Sequence, residues 1–145
     1  MSTEPIVKDA AVEAAPVKKP QRGKKAKAIR SVPHGCLFVQ ATFNNTIITM
    51  TDLNGNTLGW ASAGSCGFRG PKKATPYAAS VIVKTVADKV KDYGVKDVNV
   101  FVKGVGQGRD SAVRALNANG FNVLSIKDMT PLPHNGCRPR RARRV

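Results

Sequence analysis

Two segments of the chain combine glycines, cations and the start of a helix, the residue types that together hold an anion. Gly64-Ser65-Cys66-Gly67-Phe68-Arg69-Gly70-Pro71-Lys72-Lys73-Ala74 runs into Thr75-Pro76, and Lys103-Gly104-Val105-Gly106-Gln107-Gly108-Arg109 runs into Asp110-Ser111. Glycine has no Cβ, so its backbone can come close to a surface. A helix start presents N–H groups and a partial positive charge. Arg69, Lys72, Lys73, Lys103 and Arg109 add full charges. The combined chemistry is recognition of phosphate. Phe68, between Gly67 and Arg69, has little local core to enter. It is a candidate to stack on a base or to fill a partner's pocket.

Other chemistries fit the residues less well. A strand, the glycines of the second segment, a helix and a strand running to Asp128 resemble half of a dinucleotide-binding fingerprint. Arg109 stands at the third glycine position, however, the helix is short, and the chain has no room for a substrate domain. His34-Gly35-Cys36 and His134-Asn135-Gly136-Cys137 could supply two histidines and two cysteines to a zinc ion. The His-x-Cys spacing is shorter than usual ligand pairs. The plainer reading is a turn, with Cys137 as a small buried hydrophobe. No Ser–His–Asp or Cys–His–Asn arrangement is readable, and the acids are scattered singly. The expectation is a protein that is not an enzyme and needs no metal, cofactor or small-molecule substrate.

The charge supports a polyanionic partner. The 145 residues hold 24 Lys and Arg against 9 Asp and Glu, a formal net charge of +15. Residues 1–35 carry 8 basic and 3 acidic groups, residues 36–126 carry 10 and 5, and residues 127–145 carry 6 and 1. The ends are thus far denser in charge than the middle. Positions 18–30 hold seven cations and no acid, and Arg138, Arg140, Arg141, Arg143 and Arg144 crowd the other end. Such segments cannot bury apolar area, so both are expected to be disordered arms when free. Arginine's planar fork suits phosphate. Two basic arms on a basic core are the electrostatic footprint of nucleic-acid binding.

The length suits one domain. No apolar run approaches the roughly 20 residues of a membrane span, and the acidic start lacks the apolar core of a secretory signal. Three cysteines cannot all pair within one chain, which points to a reducing cytosol. The expected setting is cytoplasmic.

The elements that must position the two segments follow from periodicity. CLFVQATF alternates, with Leu37, Val39, Ala41 and Phe43 on one side, and Asn44-Asn45 breaks it. TIITMTD is a second strand, Asn54-Gly55 a hairpin turn, and Leu58 to Ala61 a third strand. From Thr75 as N-cap, Ala78, Ala79, Ile82, Val83, Val86, Val90 and Tyr93 share one helical face, with Lys84 and Asp88 as an i,i+4 pair and Gly94 as the stop. Val98, Val100 and Val102 alternate in a fourth strand. A short helix spans about Ser111 to Asn119, capped by Asp110 or Ser111, and Phe121 to Ile126 is a fifth strand. The fold class is α/β, a mixed sheet of order β-β-β-α-β-α-β. Helix-linked strands should run parallel with right-handed crossovers.

FNNTIITMTDLNGNTLGWASAG, GFRGPKKATPYAA, VKGVGQGRDSAVRALNANGF and DMTPLPHNGCRPRRARRV, in this order, resemble the family of small-subunit ribosomal protein eleven, in its bacterial type. The resemblance runs from about Val32 to Val145. It implies a ribonuclease-H-like fold lacking the nuclease's metal-binding carboxylates. It also implies a non-catalytic constituent of the small ribosomal subunit that binds ribosomal RNA in the platform. There the messenger exit path and the Shine–Dalgarno helix lie close by, and small-subunit proteins seven and eighteen are neighbours. The alternative is a generic basic nucleic-acid-binding protein outside the ribosome. The resemblance makes RNA-contact candidates of Asn44, Asn45, Arg69, Lys72, Lys73, Lys103, Gly104, Gly106, Gly108, Arg109, Arg114, Arg138, Arg140, Arg141, Arg143 and Arg144. The implied organisation is an N-terminal arm over 1–31, an RNA-binding domain over 32–128 and an Arg-rich arm over 129–145. Val105 and Gln107 stand where bacterial relatives commonly have proline. The N-terminal arm is longer and more mixed in charge than the family leads one to expect. Asn135-Gly136 is a candidate for isoaspartate formation.

Overall fold

Period-two alternation becomes a sheet with one apolar layer. In a computed structural model that describes residues 30–142, β1 (His34–Ala41) buries Leu37, Val39 and Ala41, and β2 (Thr46–Asp52) buries Ile48 and Met50. The hairpin at Asn54-Gly55 forms as expected: Gly55 takes φ +87°, and Asp52 accepts from both the backbone and the side chain of Asn56. β3 (Thr57–Ser62) returns antiparallel to β2. Next come α1 (Pro76–Val90), β4 (Asp97–Lys103), α2 (Gly108–Ala118) and β5 (Asn122–Asp128). This is the order β-β-β-α-β-α-β that the sequence predicts.

The strands lie in the order β3-β2-β1-β4-β5, with β1 parallel to β4 and β4 parallel to β5. Both crossovers advance across the sheet in the same direction, so right-handed connections place both helices on one face. There α1 packs on β2 and β3, α2 packs on β1, β4 and β5, and the helices meet each other. Ala78, Ala79, Ile82, Val83, Val86 and Val90 of α1 are buried with Ala112, Ala115 and Leu116 of α2. Among the described residues, the opposite face of the sheet carries no helix.

Several local expectations are corrected. Phe43 is 77% exposed instead of facing inward, because β1 ends at Ala41 and the Thr42 N–H donates to the Asn45 carbonyl to close a turn. α1 ends at Val90 and passes through a 3-10 turn, Lys91–Tyr93, before Gly94 stops it at φ +70°. α2 begins at Gly108, three residues earlier than predicted, and neither Asp110 nor Ser111 caps it. Glycine's poor helix propensity hides that start. Lys84 and Asp88 form no ion pair among the described residues, where the pairs are His34–Asp97 and Arg109–Asp128. Cys137 is exposed, not buried. The N-terminal arm lies outside the described residues as far as position 29, as do Arg143 and Arg144.

Candidate nucleic-acid interface

Parallel connections bring every loop that carries a candidate residue to one end of the sheet. β1, β3, β4 and β5 all finish there and β2 begins there. The end therefore collects the β1–β2 turn with Asn44 and Asn45, the loop from Gly64 to Thr75, the glycine loop from Lys103, and the departure of the C-terminal segment after Asp128.

Hydrogen bonds knit these segments together. The Gly106 N–H donates to the Ala41 carbonyl at 3.1 Å, and the Ala63 N–H donates to the Thr46 carbonyl at 3.1 Å. The Gly104 N–H donates to the Thr130 hydroxyl at 3.0 Å, and the Met129 N–H to the Val102 carbonyl at 2.8 Å. Arg109 donates to the Gly104 carbonyl at 3.2 Å and pairs with Asp128 at 2.5 Å. Thr130 also donates to Asp128 through its hydroxyl at 2.6 Å and its N–H at 2.9 Å. These bonds, the Thr130 pair foremost and Arg109 after them, hold the Asp128 carboxyl at about 2, well below its ordinary 3.8.

The glycines of the second loop are needed for a reason other than the one the sequence offers. A Cβ on Gly104 would sit 2.1 Å from the Ala41 carbonyl oxygen, and one on Gly106 would sit 2.3 Å from that of Thr42. A Cβ on Gly108 would come within 2.3 Å of the Thr46 hydroxyl, a buried group without a hydrogen-bond partner. The close approach is to the protein's own β1–β2 corner. The Cα faces of these glycines meet Ala41, Thr42 and Thr46, where a dinucleotide fingerprint would meet a pyrophosphate.

The first loop is shaped by its own bonds and is not a slack connection. Ser65 donates to the Ser62 carbonyl at 2.8 Å, the Phe68 N–H reaches the Ala63 carbonyl, and residues Gly70–Ala74 form a 3-10 helix. Phe68 is partly buried against the core and meets Tyr77 edge-on, its ring 6.0 Å away. This corrects the expectation that Phe68 lacks a core to enter. Tyr77 is the ring left outside, at 71% exposure. At the start of α1, the Thr75 hydroxyl accepts from the Ala78 N–H and the Thr75 carbonyl from the Ala79 N–H. With Pro76 lacking an N–H, that helix start has fewer donors to offer than its position predicts.

The cations are presented outward. Arg69 and Lys72 are exposed and Lys73 half-buried beside them. Lys103 is exposed at the end of β4, and Arg114 is exposed on α2, where it borders a groove with Tyr77 and Ser80. Asn44 is exposed at the corner's tip. Asn45 turns inward to accept from the Thr46 N–H. Arg138, Arg140 and Arg141 are exposed on a segment without regular structure. Among the described residues no three His, Cys, Asp or Glu side chains gather as for a metal, and no helix is long and apolar enough to cross a membrane. The candidates that sequence reasoning misses are Tyr77 and the Asp128–Thr130 anchor.

Comparison with known proteins matches residues 35–144 to the family described as ribosomal protein S11. The chain is 53% identical over 127 residues to the small ribosomal subunit protein uS11 of Nitratidesulfovibrio vulgaris, spanning 88% of this chain and 98% of that one. It is 54% identical over 121 residues to the protein of the same name from Buchnera aphidicola, and 53% identical over 121 residues to that of Borreliella burgdorferi, each spanning 83% of this chain and 93% of the other.

Proposed function

The chain belongs to the ribosomal protein S11 family, and on that premise we propose that its loop-bearing end is the surface that seats it on small-subunit ribosomal RNA. The protein is a structural, non-catalytic constituent of the small ribosomal subunit. The observation that carries the proposal is convergence: Asn44, Arg69, Lys72, Lys73, Lys103 and the root of the Arg-rich segment project from one end of a single rigid sheet.

Phosphate contacts from the exposed lysines and arginines supply most of the affinity, and the knitted loops fix the register. Arg109, half-buried between Gly104 and Asp128, shapes the end and keeps further N–H donors for a phosphate. The glycines contribute peptide groups held against the β1–β2 corner. In the assembled subunit the resemblance supports a place in the platform, near the messenger exit path and beside small-subunit proteins seven and eighteen.

Filter binding to small-subunit ribosomal RNA across a salt series tests this. If about six phosphates are neutralised, log K falls with log salt at a slope of about −4 to −5. A nearly flat response, or equal affinity for duplex DNA and structured RNA, overturns it in favour of a weaker, generic binder.

A further inference from the structure

The face of the sheet opposite the helices bears a row of rings. Register pairs Trp60 with Thr49, Thr49 with Phe38, and Phe38 with Phe101, and the row ends on Lys127 of β5. Trp60 is 55% exposed and Phe38 40% exposed. The Phe38 and Phe101 rings stack, their centroids 5.0 Å apart and their planes 15° apart. Beside them Phe38, Gln40, Phe101, Lys103 and Met129 line a shallow cleft of about 250 Å³. The Lys89 ammonium stands 5.8 Å from the Trp60 ring.

We infer that this face holds single-stranded RNA, with an unpaired base seated on the Phe38–Phe101 pair. A protein segment could also cover apolar rings, but the polar groups favour the nucleic acid. The cleft combines a stacking surface with an amide that both donates and accepts, Gln40, and an ammonium for the adjoining phosphate, Lys103. Those two are cross-strand partners. Lys127 extends the positive charge along the row, and Lys89 of α1 reaches round to the β3 edge, where its ammonium donates to the Trp60 carbonyl at 2.8 Å. Among the described residues, the one carboxylate that strand alternation puts on this face is Asp97, at the other end of β4 and about 20 Å from Lys103. There Asp97 is already engaged by His34 at 3.1 Å and by the Asn122 amide at 3.0 Å. A face of rings and cations, its lone carboxylate distant and occupied, complements a strand of bases and phosphates. Lys103 and Met129 also lie where the face meets the loop-bearing end. A strand leaving RNA held by the loops would run onto the rings without a break. Trp60, about 10 Å from Phe38 across two strands, offers a second stacking position.

Trp60 is the chain's sole tryptophan, so the full-length protein reports on its own face. Titration with a decamer of adenosine ribonucleotides should quench its fluorescence, while inorganic polyphosphate of equal charge should not. The variant Phe38→Leu with Phe101→Leu keeps apolar bulk on the sheet, and it should bind the decamer about tenfold more weakly and duplex RNA with unchanged affinity. An unquenched Trp60, or quenching that polyphosphate reproduces, overturns the inference whether or not the variant folds. Protection of the Trp60 peptide from oxidative footprinting in assembled subunits, without any response to the decamer, assigns the face to a protein and equally overturns it. The inference takes the partner's class from the function proposed above. The two fail separately: weakened binding by loop variants with an inert ring face sinks this one and leaves that one standing.

Discussion

The guanidinium of Arg109, in the first turn of α2, lies 2.5 Å from the carboxylate of Asp128, the last residue of β5. The pair closes the crossover between β4 and β5 at its outer corner, and Arg109 also holds the Gly104 carbonyl. Both side chains are partly in solvent, at 33% and 48% exposure. A double-mutant cycle with Arg109→Ala and Asp128→Asn should therefore give only a small stability coupling. The two variants should part company in RNA binding. Arg109→Ala removes a cation and weakens binding, whereas Asp128→Asn removes a competing anion and leaves binding at least as strong. Equal losses from both would mean that the pair serves only to hold the corner.

The glycine loop makes a sharper stability prediction, because backbone cannot yield as a side-chain tip can. Gly106→Ala drives a methyl into the Thr42 carbonyl at 2.3 Å, and Gly104→Ala meets Ala41 at 2.1 Å with φ already at +102°. Each should cost about 1–3 kcal/mol or more, read as a lower urea midpoint with unchanged slope. Gly64 is the internal control. Its nearest neighbour to a new Cβ is the Ser62 hydroxyl at 3.9 Å, so Gly64→Ala should fall within about 0.5 kcal/mol of the parent. If all three behave alike, the corner is not packed as described.

Asp128 should also betray its bonds through pH. A carboxyl lowered from 3.8 to about 2 favours the folded state wherever it is ionised there, because the fold binds its proton less tightly than the unfolded chain does. Its contribution is complete above about 3.8 and is lost as pH falls toward 2. The Thr130 amide signal should accordingly titrate with a midpoint near 2, followed by nuclear magnetic resonance in acid. Thr130→Val removes the hydroxyl donor and should move that midpoint upward, toward 3.8. An unmoved midpoint would shift the credit from Thr130 to Arg109.

What the sequence conveys here is local, and what it withholds is contact between distant residues. The inward face of α1 is readable because Ala78, Ile82, Val86 and Val90 recur at the helical period, and β1, β2 and β4 are readable because their valines and isoleucines alternate. The hairpin is readable because Asn54-Gly55 tolerates the required φ. Periodicity also separates Phe38, Gln40, Phe101 and Lys103 from the core side, but only the parallel pairing of β1 with β4 turns them into one cleft. The glycines are legible as places of close approach, while the Ala41–Thr42 corner they approach lies about 60 residues earlier in the chain. Phe43 is misplaced by one period too many, since nothing in alternation tells where a turn begins. For the interface, the residue types are legible in the chain. Their gathering at one end follows from crossover direction, which no single loop encodes.

The exposed cations of the first loop provide the most direct measure of how the protein meets RNA. Arg69 and Lys72 make no ion pair among the described residues, and Lys73 beside them lies on the same 3-10 turn. Lys72→Gln with Lys73→Gln should leave stability within about 0.5 kcal/mol of the parent, because neither side chain carries core packing. The same pair of changes should flatten the salt slope of ribosomal RNA binding by about 2, one for each phosphate no longer neutralised. The weakening should be uniform across RNA sequences, since phosphate contacts position the protein without reading bases. Adding Arg69→Gln should flatten the slope by about 1 more. The outcome that removes this loop from the interface is a slope unchanged within error. In that case the cations of the Arg-rich segment carry the phosphate contacts, and the 3-10 turn faces solvent or a neighbouring protein.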